Sequence, residues 1–221
     1  MKRWKKLSAA LMASACLFCA LLPGAALAEA REASRPEFVL NSDEKQSSMQ
    51  AQNEELIRQI SETYRAAKKR ARTKSFKGKC GKYVNNQLVI LGINQKYICA
   101  NGNREYDIYS KKSTSSGGYT IRAYGAKKYS LKSALLAIER ENPNARNILV
   151  GFQRGASKAS RKYGHTLFIH GIENGMVYFS DSYAQTVDGV RYKEGEPIVC
   201  SIERFCKQYR KYHLDGVIWF T

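Results

Sequence analysis

Cys80, His165 and Asp181 are the residues whose types and spacing carry chemistry in this chain. Cys80 follows Gly78-Lys79 where a helical period begins. A thiol at a helix start meets unpaired backbone N–H groups and the positive end of the helix dipole, and both favour thiolate. Lys79 and Lys82 add cationic potential. His165 comes 85 residues later, after Tyr163-Gly164, where the glycine lets a second backbone or a substrate approach closely. Asp181 lies 16 residues further on, beyond an Asn174-Gly175 turn signal. A hairpin turning there brings the start of one strand beside the end of the next, so the acid reaches the imidazole. Asp181 would orient the ring while His165 takes the thiol proton. Singly, a small buried cysteine and a core histidine are ordinary; their combination, with glycines before both and an acid across a hairpin, is not.

The elements that must position these groups follow from hydrophobic period. Residues 80–91 place Tyr83, Val84, Leu88 and Leu91 on one stripe, closed by Gly92. Ser130 caps a further helix with Leu131, Ala134, Leu135 and Ile138 inward and Asn142-Pro143 as its stop. The pattern then turns to strands: 148–152, 165–172, the return strand 176–179, and a final strand 216–220, with a short helix at 201–212 between the last two. Residues 101–128, with a Ser/Thr/Gly cluster, read as an extended loop region with short strands. Helices followed by an antiparallel sheet indicate an α+β domain over 76–221, with the N-terminal helices packed on the sheet. His170 is five residues from His165, an odd spacing that turns it to the opposite strand face, where it is structural, as is His213. No histidines and carboxylates have metal-ligand spacing, so neither metal nor cofactor is expected.

Upstream, residues 1–28 read as a cleaved signal peptide: a basic start, an apolar run from Leu7 to Leu22, then Pro23-Gly24 and Ala26-Leu27-Ala28. The run is short for a membrane span of about 20 residues. Residues 29–50 are polar and read as a flexible linker, and 51–75 as a basic amphipathic helix with Leu56, Ile60, Tyr64 and Ala67 at helical spacing. Its end is a cationic run, a solvated basic face or a wall-binding patch. Removal of the signal takes four positive charges from a net +18, leaving a strongly basic chain of about +14 that should associate with polyanions. No nucleic-acid motif accompanies the charge. The remaining cysteines, Cys80, Cys99, Cys200 and Cys206, are even in number and admit disulfides of unspecified pairing.

Cys80-Gly81-Lys82-Tyr83-Val84 resembles the nucleophile helix of CHAP domains, the cysteine- and histidine-dependent amidohydrolases/peptidases, which commonly show Cys, two residues, an aromatic and Val. Gly164-His165-Thr166-Leu167-Phe168-Ile169 and Val177-Tyr178-Phe179-Ser180-Asp181 are similar to that family's Gly-His strand and its partner. The resemblance covers roughly 76–183. It implies a papain-like fold, Cys80 as nucleophile, His165 as base and Asp181 as orienting acid, acting on peptidoglycan amides. Two departures stand out: Asp181 where the family usually has Glu or Asn, and Lys79 where Gln often precedes the cysteine. The second leaves one oxyanion donor, the Cys80 N–H, and no assigned partner for it.

The expectation is a secreted, monomeric cysteine hydrolase cutting peptide or amide bonds through a thioester, with an anionic cell-wall polymer or peptide as partner and neither nucleic acid nor a stable membrane span. Two alternatives stay open. One is a non-catalytic surface-binding protein on the same scaffold, which a Cys80–Cys99 bridge would enforce. The other is a transferase sharing the acyl-enzyme. Residues 101–128 and 153–162 are the expected groove walls.

Overall fold

A computed structural model describes residues 42–93, 114–116, 118–153 and 164–221. The signal segment 1–28, linker residues 29–41, Cys99, residues 101–113 and the groove wall beyond Gln153 lie outside the described residues. What is described is an α+β fold. Its elements are α1 (Ser42–Ala71), α2 (Cys80–Ile90), β1 (Thr114–Ser116), β2 (Tyr119–Gly125), α3 (Leu131–Glu141), β3 (Arg146–Gln153), β4 (His165–Glu173), β5 (Met176–Ser180), β6 (Gln185–Val187), β7 (Val190–Tyr192), β8 (Ile198–Ser201), α4 (Ile202–Tyr209) and β9 (His213–Phe220). Seven strands form one antiparallel sheet in the order β1-β2-β9-β3-β4-β5-β8, and β6-β7 is a separate hairpin.

The sheet is covered on both faces, with α2 against one and α3 and α4 against the other. Side chains alternate along each strand. Leu149, Phe168, Ile218 and Phe220 join Val84 and Leu88 of α2 in one cluster. Ile148, Val150, Leu167, Ile169, Val217 and Trp219 join Ala134, Leu135 and Ile138 of α3 and Phe205 and Tyr209 of α4 in the other. Burial on both sides explains why β3 and β4 are apolar runs without polar alternation.

Helix ends follow local chemistry. Ser130 and Ser201 cap α3 and α4 by accepting from the N–H groups of Ser133 and Arg204. α2 stops where Gly92 takes φ +76°, with Gly92 N–H donating to Val89 and Ile93 N–H to Leu88, and Ile93 packing beside Leu88. α1 differs from the expected 51–75 at both ends. It starts at Ser42, so 42–50 is helix and not linker: these residues lack an apolar stripe but carry good helix formers behind an acidic start. It ends at Ala71 because Arg72 adopts φ +47°, with Arg72 and Thr73 N–H closing back on Lys69 and Lys68. Leu56, Ile60 and Ala67 are buried, so α1 belongs to the fold.

Asn174 and Gly175, at φ +51° and +76°, make the two-residue turn joining β4 to β5. Asp188-Gly189, at +49° and +81°, makes the equivalent turn of the β6–β7 hairpin, which the strand reading passed over along with β8.

Candidate active site

Cys80 is the first residue of α2, and His165 the first of β4. Asp181 directly follows β5. The β4–β5 register pairs Phe168 with Ser180 and Ile169 with Phe179, which carries Asp181 back alongside the start of β4. His165 Nε2 lies 3.0 Å from Asp181 Oδ2, both side chains essentially inaccessible. The other ring nitrogen, Nδ1, has no regular hydrogen bond among the described residues, and the group that shares charge with the ring beyond Asp181 is the Cys80 thiol. All three sequence-selected residues therefore meet at one point. Cys80 is a free, half-buried thiol; Cys200, buried, and Cys206, half-buried, are also free.

The electrostatics follow from that contact. Burial pushes the Cys80 thiol up, but its contact with the His165 ring and that ring's charge, with the backbone N–H groups of Thr166 and Gly81, bring it below the ordinary thiol value. Burial works against a charged His165, yet Asp181 and then Cys80 raise it to about 10. Burial also opposes the Asp181 carboxylate, and His165, Tyr209 and the Tyr183 N–H outweigh it, so its net direction is down. Cys200 and Cys206 go the other way: burial raises them to about 12 and about 11. Among these three thiols, only Cys80 is activated.

Asp181 is held by more than the histidine. Its Oδ2 also accepts from Gln185 Nε2 and the Tyr209 hydroxyl, each at 2.7 Å, and its Oδ1 accepts from Tyr183 N–H at 3.0 Å. Tyr209 and Tyr212 stack on the imidazole at centroid distances of 6.0 and 5.6 Å, and Tyr183 meets it edge-on at 5.6 Å. These rings keep water off the His165–Asp181 pair while Cys80 stays partly open. The sequence reading missed all four. Gln185 had a weak signal, four residues after Asp181; the tyrosines of α4 and its C-terminal turn had none, because tertiary packing alone brings them in.

The thiol is fixed from behind. Tyr83, one turn along α2, shares a 2.6 Å hydrogen bond with Ser180, the residue before Asp181. Phe76 in the loop before Cys80 is fully buried against Tyr64 and Tyr83. Glu194 accepts from Tyr64 hydroxyl, Ser75 hydroxyl and Phe76 N–H. Next to it, Gly195 N–H donates to the Asp181 carbonyl at 2.8 Å. One short segment thus ties the loop carrying the thiol to the acid.

Gly164 also has a physical reason: a Cβ there would lie 2.3 Å from the Phe152 carbonyl oxygen, so the close approach is that of strand β3. His170 is buried edge-on to Phe168, on the α2 side of the sheet, away from the site. His213 is exposed. Among the described residues, no group of His, Cys, Asp and Glu is arranged to hold a metal ion, and no helix is long and apolar enough to cross a membrane.

A buried acid, an imidazolium and a depressed thiol in series can attack an electrophilic carbonyl and protonate its leaving group. As the first residue of α2, Cys80 has a backbone N–H without an intrahelical partner, a donor for the developing oxyanion. No family model, curated protein or solved structure matches the chain.

Proposed function

We propose that the protein is a cysteine hydrolase of amide bonds, with a papain-like, CHAP-like arrangement, acting outside the cell on the peptide part of bacterial cell wall. The carrying observation is the series Cys80, His165, Asp181, in which the thiol is lowered, the imidazole raised and the acid shielded. The Cys80 thiolate attacks the amide carbon, and the carbonyl oxygen takes the negative charge. His165 delivers its proton to the departing amine as the C–N bond breaks, leaving a thioester. Water, deprotonated by His165, attacks that thioester; release of the acid restores thiolate and imidazolium. Asp181 keeps the ring oriented and its positive charge favourable throughout. The basic chain supports a location among anionic polymers.

The test is digestion of purified peptidoglycan by the mature protein and by Cys80→Ala, with products identified by mass spectrometry. Expected are new amine and carboxylate ends with wild type and none with the variant. Identical fragments from both would overturn the nucleophile assignment, and joined products in place of hydrolysed ones would make the enzyme a transferase.

A further inference from the structure

We propose that the cationic ridge running from the last turn of α1 through the loop at 72–79 to Lys82 docks an acidic peptide, the carboxylate-bearing part of the substrate whose scissile amide lies at Cys80. The inference deepens the hydrolase reading and rests on it.

Nine Lys and Arg residues lie between Arg65 and Lys82, and no Asp or Glu occurs from Thr63 to Ile93. Arg72, Lys74, Lys77, Lys79 and Lys82 are exposed, and none is ion-paired among the described residues. Such a run repels itself, and a free loop would spread it into solvent. Here the backbone is pinned instead, by buried Phe76, by Glu194, and by Lys82 Nζ donating to the Ala71 carbonyl at 3.3 Å. The loop that carries these charges leads directly into Cys80, with Lys79 before it and Lys82 two residues after.

Lys211 adds a cation of the same sign: its Nζ lies 5.4 Å from the centre of Tyr212, whose ring also stacks on His165. The carboxylates near the mouth are already engaged. Asp181 is buried under His165, Gln185 and Tyr209, and Glu194 lies beneath the loop on Tyr64, Ser75 and Phe76. A positive field beside a partly exposed thiol concentrates anions. The molecule that reaches Cys80 must present an amide carbonyl, and the anions native to an amide chain are carboxylates. The cations flanking the thiol in the chain, Lys79 and Lys82, are lysines, point charges suited to single carboxylates.

The field and the docking are measured separately. Alkylation of Cys80 by anionic iodoacetate and neutral iodoacetamide is compared, with Cys80→Ala reporting background from other thiols. The iodoacetate-to-iodoacetamide rate ratio should fall about fivefold between ~20 and ~500 mM NaCl, and about as much at low salt in a triple variant Arg72→Gln, Lys74→Gln, Lys77→Gln. Decaglutamate should slow iodoacetamide alkylation of Cys80 about fivefold or more, whereas decaglutamine should not. Fluorescent decaglutamate should bind the Cys80→Ala protein, read by anisotropy, and lose that binding in the triple variant. Absence of both protection and binding overturns the proposal. So does protection by polyphosphate or by phosphatidylglycerol vesicles without protection by decaglutamate. Because the anisotropy arm needs no reactive thiol, an inert Cys80 would refute the hydrolase reading and leave the docking result standing or falling on its own.

Discussion

Replacing Asp181 by asparagine keeps the shape of the acid and removes its charge. An asparagine can turn its carbonyl oxygen toward His165, Gln185 and Tyr209, the donors now on Oδ2; its amide group then faces the Tyr183 N–H, and that bond is lost. Two unit charges about 4 Å apart in an effective dielectric near 20 attract by about 4 kcal/mol. The neutral hydrogen bond that remains retains part of this, so the imidazolium loses about 2–3 kcal/mol, and two pH units correspond to roughly 2.7 kcal/mol. His165 should therefore titrate near 10 in wild type and at roughly 8 in Asp181→Asn. The sign is fixed by linkage: a raised imidazole stabilises the fold fully below its unfolded value of 6.5, and that contribution is lost as pH rises through about 10. The variant should lose it earlier, so its stability deficit is full through neutrality, shrinks between roughly pH 8 and 10, and vanishes above that. The assay is NMR titration of imidazole-labelled protein, with His170 and His213 substituted in turn for assignment, beside urea unfolding at several pH values. A wild-type His165 titrating at or below 7, or a variant still protonated above 9.5, refutes the reasoning.

Burial pushes His170 down to about 3, and its Nε2 has no partner among the described residues. The unfolded chain takes up a proton below about 6.5 that the native protein refuses, so stability should fall by about 1.4 kcal/mol per pH unit from there toward 3. His170→Leu should flatten that slope in acid unfolding curves, and an unchanged slope would contradict it. Gly164→Ala forces a Cβ against the Phe152 carbonyl and must shift the start of β4. It should cost about 1–3 kcal/mol in urea unfolding and slow Cys80 alkylation at neutral pH about tenfold. Glu194→Ala leaves Phe76 N–H and two hydroxyls without their acceptor, for an expected loss of about 2–4 kcal/mol by the same unfolding assay.

That Cys80, His165 and Asp181 come together was legible because each placement depends on local signals. A glycine before a helical period marked Cys80, and an Asn-Gly turn set the register that returns Asp181 to His165. α3 and its serine cap were readable for the same reason. The Asp188-Gly189 turn was as readable as Asn174-Gly175, but three-residue strands on either side give too little alternation to register. Tyr209, Tyr212 and Glu194 carry no local mark; they reach the site through packing of α4 and of the turn after β7. The beginning of α1 was missed because the sequence of its first two turns carries no continuous apolar stripe for periodicity to detect.

Strand β9 comes after every other described strand in chain order, yet it lies between β2 and β3 in the middle of the sheet. A ribosome releasing this chain therefore delivers the two strands on either side of a gap long before the strand that fills it. Until then the inner edge of β3, with Ile148, Leu149 and Val150, has no neighbour on that side. Assembly must wait on contacts between residues far apart in the chain, which makes folding slow and leaves the nascent protein exposed to misassociation. The same ordering delays the triad. Tyr209, which holds Asp181, and Tyr212, which stacks on His165, immediately precede β9, so the thiol cannot acquire its full activating surroundings until the last strand is being laid down.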